Sequence, residues 1–334
     1  MGPPSNSTNL PRLLRNLGCI DAIDAALGQR IRLPVDDQHV VGSDGDTPLL
    51  RAGRATIPLL SSIEDHHLPP QTDQPHQYLL FGLGLGEGLR ELLRRSPYCQ
   101  VTVWERDPWM MRLALGRHDY RQEIRSGRVS FLLGPDLISL RGRRFDAVVH
   151  HPVLGPKYAR EWDFVQAPAE TPCVFMVEGE LFVQDFVDAL RDAGNTTYTW
   201  EINRLSPEEL FLAIQKLSPH LVAGINYTQG LAEACFRVGL PLAIWEIDPC
   251  LNPPQKSQTP TEHVSIFTYR EANVESYQKA GFAHTRYMPL AANVRRRRPL
   301  AKHDPDLANF SSRVCFVGNS TTARVSPARD AFLS

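Results

Sequence analysis

Residues 78–88 read Tyr78-Leu79-Leu80-Phe81-Gly82-Leu83-Gly84-Leu85-Gly86-Glu87-Gly88, a short apolar run followed by alternating glycines. The apolar run predicts a buried strand, and the leucines that continue at helical spacing predict a helix directly after the glycines. Glycines in such a turn allow the backbone to approach a ligand closely, and a helix N-terminus favours anionic groups. The stretch is therefore typical of a Rossmann-like unit. Because tight strand-to-helix turns use glycine anyway, a purely structural turn is the alternative.

Three further strands alternate with helices after this turn, at 101–104, 128–133 and 145–151. Glu105 ends the second strand, 23 residues after Gly82, at the distance where an acid binds ribose hydroxyls. Asp136 follows the third strand. We therefore predict a nucleotide-type ligand held by a set of glycines and acids: Gly82, Gly84, Gly86, Glu105 and Asp136.

A second series of alternating strands and helices begins at Cys173, and the count of strands starts again. The fold class predicted from both series is α/β, with two tandem Rossmann-like parallel-sheet units. The predicted domains are an N-terminal helical and irregular region with a linker, the glycine-loop domain, a second Rossmann-like domain and a short C-terminal stub. Their boundaries are 1–77, 78–165, 166–310 and 311–334.

Polar residues end several strands of the second series. Glu246 and Asp248 close one strand and are separated by one position, so both side chains are expected on the same face. Asn226 and Glu178 follow two other strands. These four are candidate site residues, although Asp248 also fits a simple turn cap before Pro249.

The amino-acid composition limits the classes of protein to which this chain can belong. The chain has 334 residues with 36 basic and 37 acidic side chains, which gives no electrostatic reason to expect nucleic acid as a partner. No apolar stretch is long enough to span a bilayer, and the N-terminus lacks signal-peptide features, so we predict a cytoplasmic protein. The six cysteines form no C-x-x-C pair, and Cys173, Cys235 and Cys315, which lie in apolar runs, are expected to be small buried hydrophobes.

Histidines and arginines give weaker signals. The histidines have no metal-ligand spacing, and we predict no metal site. The run Arg295–Arg298 fits either a phosphate contact or a solvated linker between domains.

The glycine loop followed by Glu105, Asp136 and the fourth strand resembles the cofactor half of a class I S-adenosylmethionine methyltransferase. That resemblance implies S-adenosylmethionine as a possible cofactor, and a complete fold of that kind needs further strands after the fourth. Residues 152–172 show no strand pattern, and Glu161-Trp162-Asp163-Phe164 predicts a loop or a short helical turn.

The stretch from about Thr47 to Asp136 also resembles the N-terminal region of the bacterial motility accessory factor family, which is linked to flagellin glycosylation. The residues that carry this are Leu79-Leu80-Phe81-Gly82-Leu83-Gly84-Leu85-Gly86 and Trp104-Glu105-Arg106-Asp107. The large central domain of that family is not seen in this sequence.

The second series resembles the CgeB-like spore-maturation glycosyltransferases. Five motifs carry the resemblance: Pro219-His220-Leu221-Val222-Ala223-Gly224-Ile225-Asn226, Gly230-Leu231-Ala232-Glu233, Ile244-Trp245-Glu246-Ile247-Asp248-Pro249, Tyr287-Met288-Pro289-Leu290-Ala291-Ala292-Asn293 and Val314-Cys315-Phe316-Val317-Gly318-Asn319. The resemblance implies a GT-B arrangement, a nucleotide-sugar donor and a cell-surface glycan or protein acceptor. Asp248 and Glu246 are then the candidate bases, with Asn226 and Glu178 on the acceptor side.

Val314–Val317 predicts the first strand of the donor domain, and 16 residues follow Gly318. A Rossmann-like domain needs on the order of 100 residues. We therefore expect a separate chain or domain to complete the donor site, and no sugar transfer by this polypeptide alone. A non-catalytic binding module is the alternative that remains open.

Overall fold

The computed structural model describes residues 9–32, 42–44, 47–52, 55–59, 63–178, 182–201, 207–248 and 256–296. The chain divides into two compact units, residues 1–290 and 291–334. The helices are α1 (Leu10–Asp21), α2 (Ala25–Arg32), α3 (Glu87–Arg95), α4 (Pro108–Arg117), α5 (Arg121–Arg125), α6 (Ala159–Gln166), α7 (Val183–Asp192), α8 (Pro207–Leu217), α9 (Leu231–Val238) and α10 (Glu271–Lys279).

All described strands lie in the first unit. They are β1 (Gly42–Asp44), β2 (Thr47–Ala52), β3 (Ala55–Pro58), β4 (Gln77–Phe81), β5 (Gln100–Glu105), β6 (Val129–Leu133), β7 (Ala147–His150), β8 (Cys173–Glu178), β9 (Thr196–Glu201), β10 (Leu221–Ile225), β11 (Leu242–Glu246), β12 (Val264–Thr268) and β13 (His284–Tyr287). Short 3₁₀ helices span Ile63–His66, Gly134–Leu140 and Gly155–Tyr158.

The four-stranded sheet is built on the stretch that contains the glycine loop. Its strands are all parallel, in the order β6-β5-β4-β7. The strands β4 and β5 are buried on both faces, which is why they read as continuous apolar runs rather than alternating ones. The strand order reverses between β4 and β7, so the ligand crevice expected of such a sheet lies beyond their carboxyl ends.

The six-stranded sheet contains the second series of strands. It is also parallel throughout, in the order β13-β12-β11-β10-β8-β9. Its order reverses between β8 and β10. The predicted fold class, α/β with two tandem parallel-sheet units, is confirmed.

The region before the glycine loop contains strands that the sequence did not predict. β1, β2 and β3 form a small antiparallel sheet through two connections of two residues each. The connections are Gly45-Asp46 and Gly53-Arg54, and a glycine in a two-residue connection is typical of hairpins. Strands of three to six residues are too short for their periodicity to stand out from a polar segment.

The N-terminal helix follows its sequence closely. The side chain of Asn9 caps α1 by accepting a hydrogen bond from the backbone N–H of Arg12 at 3.0 Å. Leu13, Leu17 and Ile20 are buried, and α1 packs against α4, α2 and α5. The helical character predicted for the N-terminal region is therefore confirmed for α1.

The two parallel sheets share one hydrophobic core. Phe81 and Trp104 of the first sheet belong to the same buried cluster as Phe175 and Trp200 of the second. Helix α6 lies between them and contributes Phe164 to that cluster. Of the two alternatives predicted for this segment, the structure shows the helical one, and its eight residues form two turns.

An ionic network joins both sheets to the N-terminal helices. Arg30 of α2 donates to Glu209 of α8 at 2.8 and 3.1 Å, and to Asp136 at 2.7 Å. Its Nη2, which also donates to Glu209, donates to the Leu133 carbonyl at 2.9 Å. Lys216 of α8 also pairs with Asp136. Because α8 packs against β8, the guanidinium ties three parts of the unit together.

Two general properties follow from the described residues. Among them, no helix has both the length and the apolar character needed to cross a membrane. The cysteines Cys19, Cys99, Cys173 and Cys235 are buried and free, so the prediction for Cys173 and Cys235 is confirmed. Cys315 lies outside the described residues.

Candidate functional site

The glycine loop turns tightly and its inner side is filled by the protein's own histidine. Gly82, Gly84 and Gly86 have φ angles of 88°, 57° and 92°, which are conformations that L side chains rarely adopt. His151 is 2% exposed, and its Nε2 lies 2.0 Å from where a Cβ on Gly84 would be. The side chain of His151 is fixed because its Nδ1 accepts from the backbone N–H groups of Val153 and Leu154 at 3.2 Å.

The carboxylate of Glu105 lies directly beneath this loop and is fully buried. Its oxygens accept from the backbone N–H groups of Leu83 and Arg106, both at 2.8 Å, and from the Tyr158 hydroxyl at 2.5 Å. Burial and then the neighbouring carboxylate of Asp107 raise the pKa of Glu105 to about 7, and the donors oppose the rise. Both oxygens of Glu105 are thus engaged within the chain rather than directed outward to a ribose.

Asp136 takes part in the ionic network rather than in the crevice. Burial would raise the pKa of Asp136, but Arg30 and the Lys216 hydrogen bond outweigh it, so the pKa of Asp136 is lowered. Its Oδ2 also accepts from the backbone N–H of Leu133 at 3.0 Å. The structure brings Gly82, Gly84 and Glu105 together, whereas Asp136 joins helices α2 and α8.

A substitution at Gly84 tests how tightly His151 fills the inner side of the glycine loop. We expect Gly84→Ala to cost about 1–3 kcal/mol more stability than Gly127→Ala, measured by urea unfolding. Both positions have positive φ, 57° and 74°, so both substitutions strain the backbone. A Cβ at Gly127 meets nothing within 4 Å, whereas one at Gly84 collides with His151.

The double variant Gly84→Ala/His151→Ala provides the second half of that experiment. Removing the imidazole is expected to recover the excess loss caused by Gly84→Ala. Equal losses at Gly84 and Gly127 would show that the histidine moves aside freely and does not fill the loop.

Asn226 and Asp248 form a pair at the carboxyl edge of the six-stranded sheet. Asn226 has φ of 57° and its Oδ1 accepts from the backbone N–H groups of Ile247 and Asp248, at 2.9 and 3.2 Å. Its Nδ2 donates to Asp248 Oδ2 at 2.9 Å. Asp248 is exposed, so its carboxylate is held at a fixed place while remaining open to solvent. An asparagine is well suited to this position because it tolerates positive φ better than most residues.

Glu246 does not join that pair. It is 1% exposed, and its carboxylate accepts from Asn273 at 3.1 and 3.2 Å and from the Tyr277 hydroxyl at 3.1 Å, both on α10. The strand β11 ends at Glu246, so the alternation that was expected to bring Glu246 and Asp248 onto one face stops before Asp248. Glu178 ends β8, next to β10 in the sheet, and its side chain lies outside the described residues.

The other sequence candidates lie elsewhere or outside the described residues. Arg295 and Arg296 follow Asn293, whose Oδ1 accepts from both of their backbone N–H groups at 3.0 and 3.4 Å. The rest of the arginine run and the strand predicted at Val314–Val317 are outside the described residues. In the described ranges, no group of three or more histidine, cysteine or acidic side chains is arranged to hold a metal ion.

Comparison with known proteins does not assign this chain to a family. No family model matches the chain, and no curated protein matches it. One solved structure to which the chain is similar is that of a MAf glycosyltransferase from Magnetospirillum magneticum AMB-1, with 13% identity and a TM-score of 0.32. The match covers 71% of this chain and 54% of that one, so this chain spans about half the length of its neighbour. At that TM-score the likeness has no bearing on what this chain does.

Several residues that shape these sites were not found from the sequence. Arg30 and Glu209 lie 179 positions apart, and neither belongs to a motif. His151 is one of two adjacent histidines, and nothing in the sequence indicated its role in the glycine loop. A signal was available for Glu209, because Ser206-Pro207 is typical of a helix start and Glu209 lies in the first turn, where it is buried.

Proposed function

We propose that this chain is a glycosyltransferase-type protein, and that the carboxyl edge of β8, β10 and β11 binds the acceptor hydroxyl. The observation that carries the proposal is the pairing of Asn226 with the exposed carboxylate of Asp248. This pair lies next to the point where the strand order of the six-stranded sheet reverses. Ligands of open α/β sheets bind at such points. The motifs around Asn226 and Asp248, which resemble CgeB-like glycosyltransferases, support the same assignment.

In this proposal the chemistry at the edge is proton removal from an acceptor hydroxyl. A base must lie within hydrogen-bond reach of that proton, and an exposed carboxylate held by a neighbouring amide satisfies this requirement. Asp248 takes the role of base or acceptor contact, and Asn226 positions it. The buried and fully bonded Glu246 positions α10 instead. The acceptor is a glycan or a hydroxyl-bearing protein.

The donor side of the proposal belongs to residues beyond the six-stranded sheet. A nucleotide-sugar requires groups that stabilise its departing diphosphate, such as cations or helix N-termini. We assign that role to a further Rossmann-like domain, one that begins with the strand predicted at Val314–Val317 or one that another chain supplies.

Acceptor binding tests the proposal without requiring turnover. We expect saturation-transfer NMR with a panel of oligosaccharides and glycopeptides to find a binder whose affinity falls about tenfold in Asp248→Asn. The substitution removes the charge while its amide oxygen can still accept from Asn226. Glu275→Gln on α10 is the matched control, because Glu275 is exposed and pairs only with Lys279 among the described residues. It should leave the affinity unchanged.

Two results would contradict this proposal. Binding that is equally strong in wild type and Asp248→Asn would exclude the edge as the acceptor site. The same titrations include S-adenosylmethionine, and saturable binding of that compound would favour the methyltransferase class instead. The proposal expects none, because His151 fills the glycine loop and the oxygens of Glu105 are engaged within the chain.

A further inference from the structure

A basic groove lies among the helices that cover the four-stranded sheet, and neither the glycine loop nor the six-stranded sheet contributes to it. It has a volume of about 610 Å³ and is lined by residues of α1, α3, α5 and the end of α4. Five arginines line it: Arg12, Arg15, Arg90, Arg94 and Arg117. Pockets for small molecules typically measure about 300–1,000 Å³, so the groove has the size of a small-ligand site.

The arginines of this basic groove are only partly neutralised. Arg94 pairs with Glu91 at 2.7 Å and Arg117 pairs with Glu87 at 3.2 Å. In the part of the chain that the structure describes, Arg12, Arg15 and Arg90 have no carboxylate within ion-pair distance, and Arg12 donates to the carbonyl of Arg117 instead.

Two acids line the groove and do not cancel this charge. Asp119 forms its ion pair at 2.7 Å with Arg121, which is not among the lining residues. Glu123 is the other acid, so the lining holds five cations, two of them already paired, against two anions, one of them already paired.

The pKa of His118, which lines the groove, is affected by burial and by these arginine charges. The pKa of His118 is lowered to about 4, first by burial and then by the charges of Arg90, Arg117 and Arg12. The carboxylate of Glu87 lies 4.0 Å from its Nε2 and does not reverse the effect. The neighbouring hydroxyl of Tyr120 is occupied by the Gly86 carbonyl at 2.8 Å. The groove is therefore a site of positive potential that the neighbouring acids compensate only in part.

We infer that this basic groove binds a compact phosphate polyanion, such as the polyphosphate group of a small molecule. Guanidinium groups match phosphate oxygens in bidentate geometry, and several converging on one concavity favour a ligand with several charges. The apolar lining is confined to Leu93 and the Tyr120 ring, so the recognition is electrostatic. The site does not depend on the function proposed above.

Calorimetric titration of the full chain with inorganic tripolyphosphate tests this inference. At about 0.15 M NaCl we expect saturable binding with one equivalent per chain. The double variant Arg15→Gln/Arg90→Gln should bind at least about tenfold more weakly, because it removes two charge-assisted contacts. Both side chains are exposed, so the thermal midpoint of the variant should match that of wild type.

The control removes the same charge from a remote surface. Arg191→Gln/Arg237→Gln replaces two exposed arginines on α7 and α9 and should bind tripolyphosphate like wild type. If both double variants bind tripolyphosphate equally weakly, the effect is one of net charge and the inference is overturned. Tripolyphosphate binding to the wild type that does not saturate would overturn it too. If citrate binds as tightly as tripolyphosphate, the groove does not select phosphate and the inference is wrong. Tighter binding of an oligoglutamate peptide would assign the groove to a protein partner instead.

Discussion

Replacing Arg30 by methionine is expected to lower the free energy of unfolding by about 3–5 kcal/mol. The guanidinium is 9% exposed and holds Asp136 and Glu209, which are 11% and 5% exposed. Methionine fills similar space but leaves Glu209 buried without this cation, and breaking a buried pair by removing one partner is strongly destabilising. Urea unfolding of the full chain measures the loss.

Two further variants separate the buried network from charge in general. Arg191→Met breaks the exposed pair with Asp163, whose side chains are 54% and 56% exposed, and should cost less than about 1 kcal/mol. Arg30→Met/Glu209→Leu removes both members of the buried pair and should recover part of the stability, since the buried carboxylate that lost its Arg30 partner is removed as well. A loss in Arg30→Met no larger than that in Arg191→Met would show that the network does not hold the two sheets together.

Much of the fold was predictable because parallel strands buried on both faces leave a clear mark in a sequence. The runs at Tyr78–Phe81 and Leu221–Ile225 are apolar without interruption, and each is followed by a turn and a helix. Their order in the chain predicts the parallel sheets. It does not predict that Phe164 and Phe175 would join the two sheets in one core, since such contacts depend on long-range packing.

The candidate sites were less predictable, because residue type and spacing do not reveal how a side chain uses its hydrogen bonds. Glu105 occupies the position of a ribose-binding acid, yet its oxygens accept from Leu83, Arg106 and Tyr158. Tyr158 lies 53 positions downstream in a segment with no recognisable motif. Asn226 and Asp248 were both identified from the sequence, but their contact requires two neighbouring strands to end in register.

The buried Glu105 gives the protein a distinctive dependence on pH. The pKa of this carboxyl is raised from its ordinary value of 4.5 to about 7, chiefly by burial. A carboxyl whose pKa is raised on folding stabilises the fold at pH values below its pKa in the unfolded chain. That contribution is lost as the pH rises through its pKa in the folded protein. Between about pH 4.5 and pH 7 the folded protein therefore holds a proton that the unfolded chain has released. Each pKa unit corresponds to about 1.4 kcal/mol, so the contribution that is lost amounts to about 3 kcal/mol.

Buried histidines act in the opposite direction and must be separated from this effect. The pKa of His151 is lowered to about 3 and that of His118 to about 4, in both cases mainly by burial. Their unfolded forms take up protons near the ordinary value of 6.5, so they destabilise the fold as the pH falls. The unfolding free energy of the wild type therefore has two opposing dependences on pH: the contribution of Glu105 falls as the pH rises, and that of the histidines grows.

Comparison with Glu105→Gln isolates the carboxyl. The histidines contribute equally to both proteins, so the wild type's advantage over the variant should shrink by about 3 kcal/mol between about pH 5 and about pH 8. Urea unfolding at each pH gives the two curves. Glu91→Gln is the matched control: Arg94 and Arg95 lower the pKa of Glu91 to about 2, below this range, so its difference from wild type should stay constant. A constant difference for Glu105→Gln as well would mean that Glu105 is ionised throughout, because its hydrogen-bond donors would then outweigh its burial.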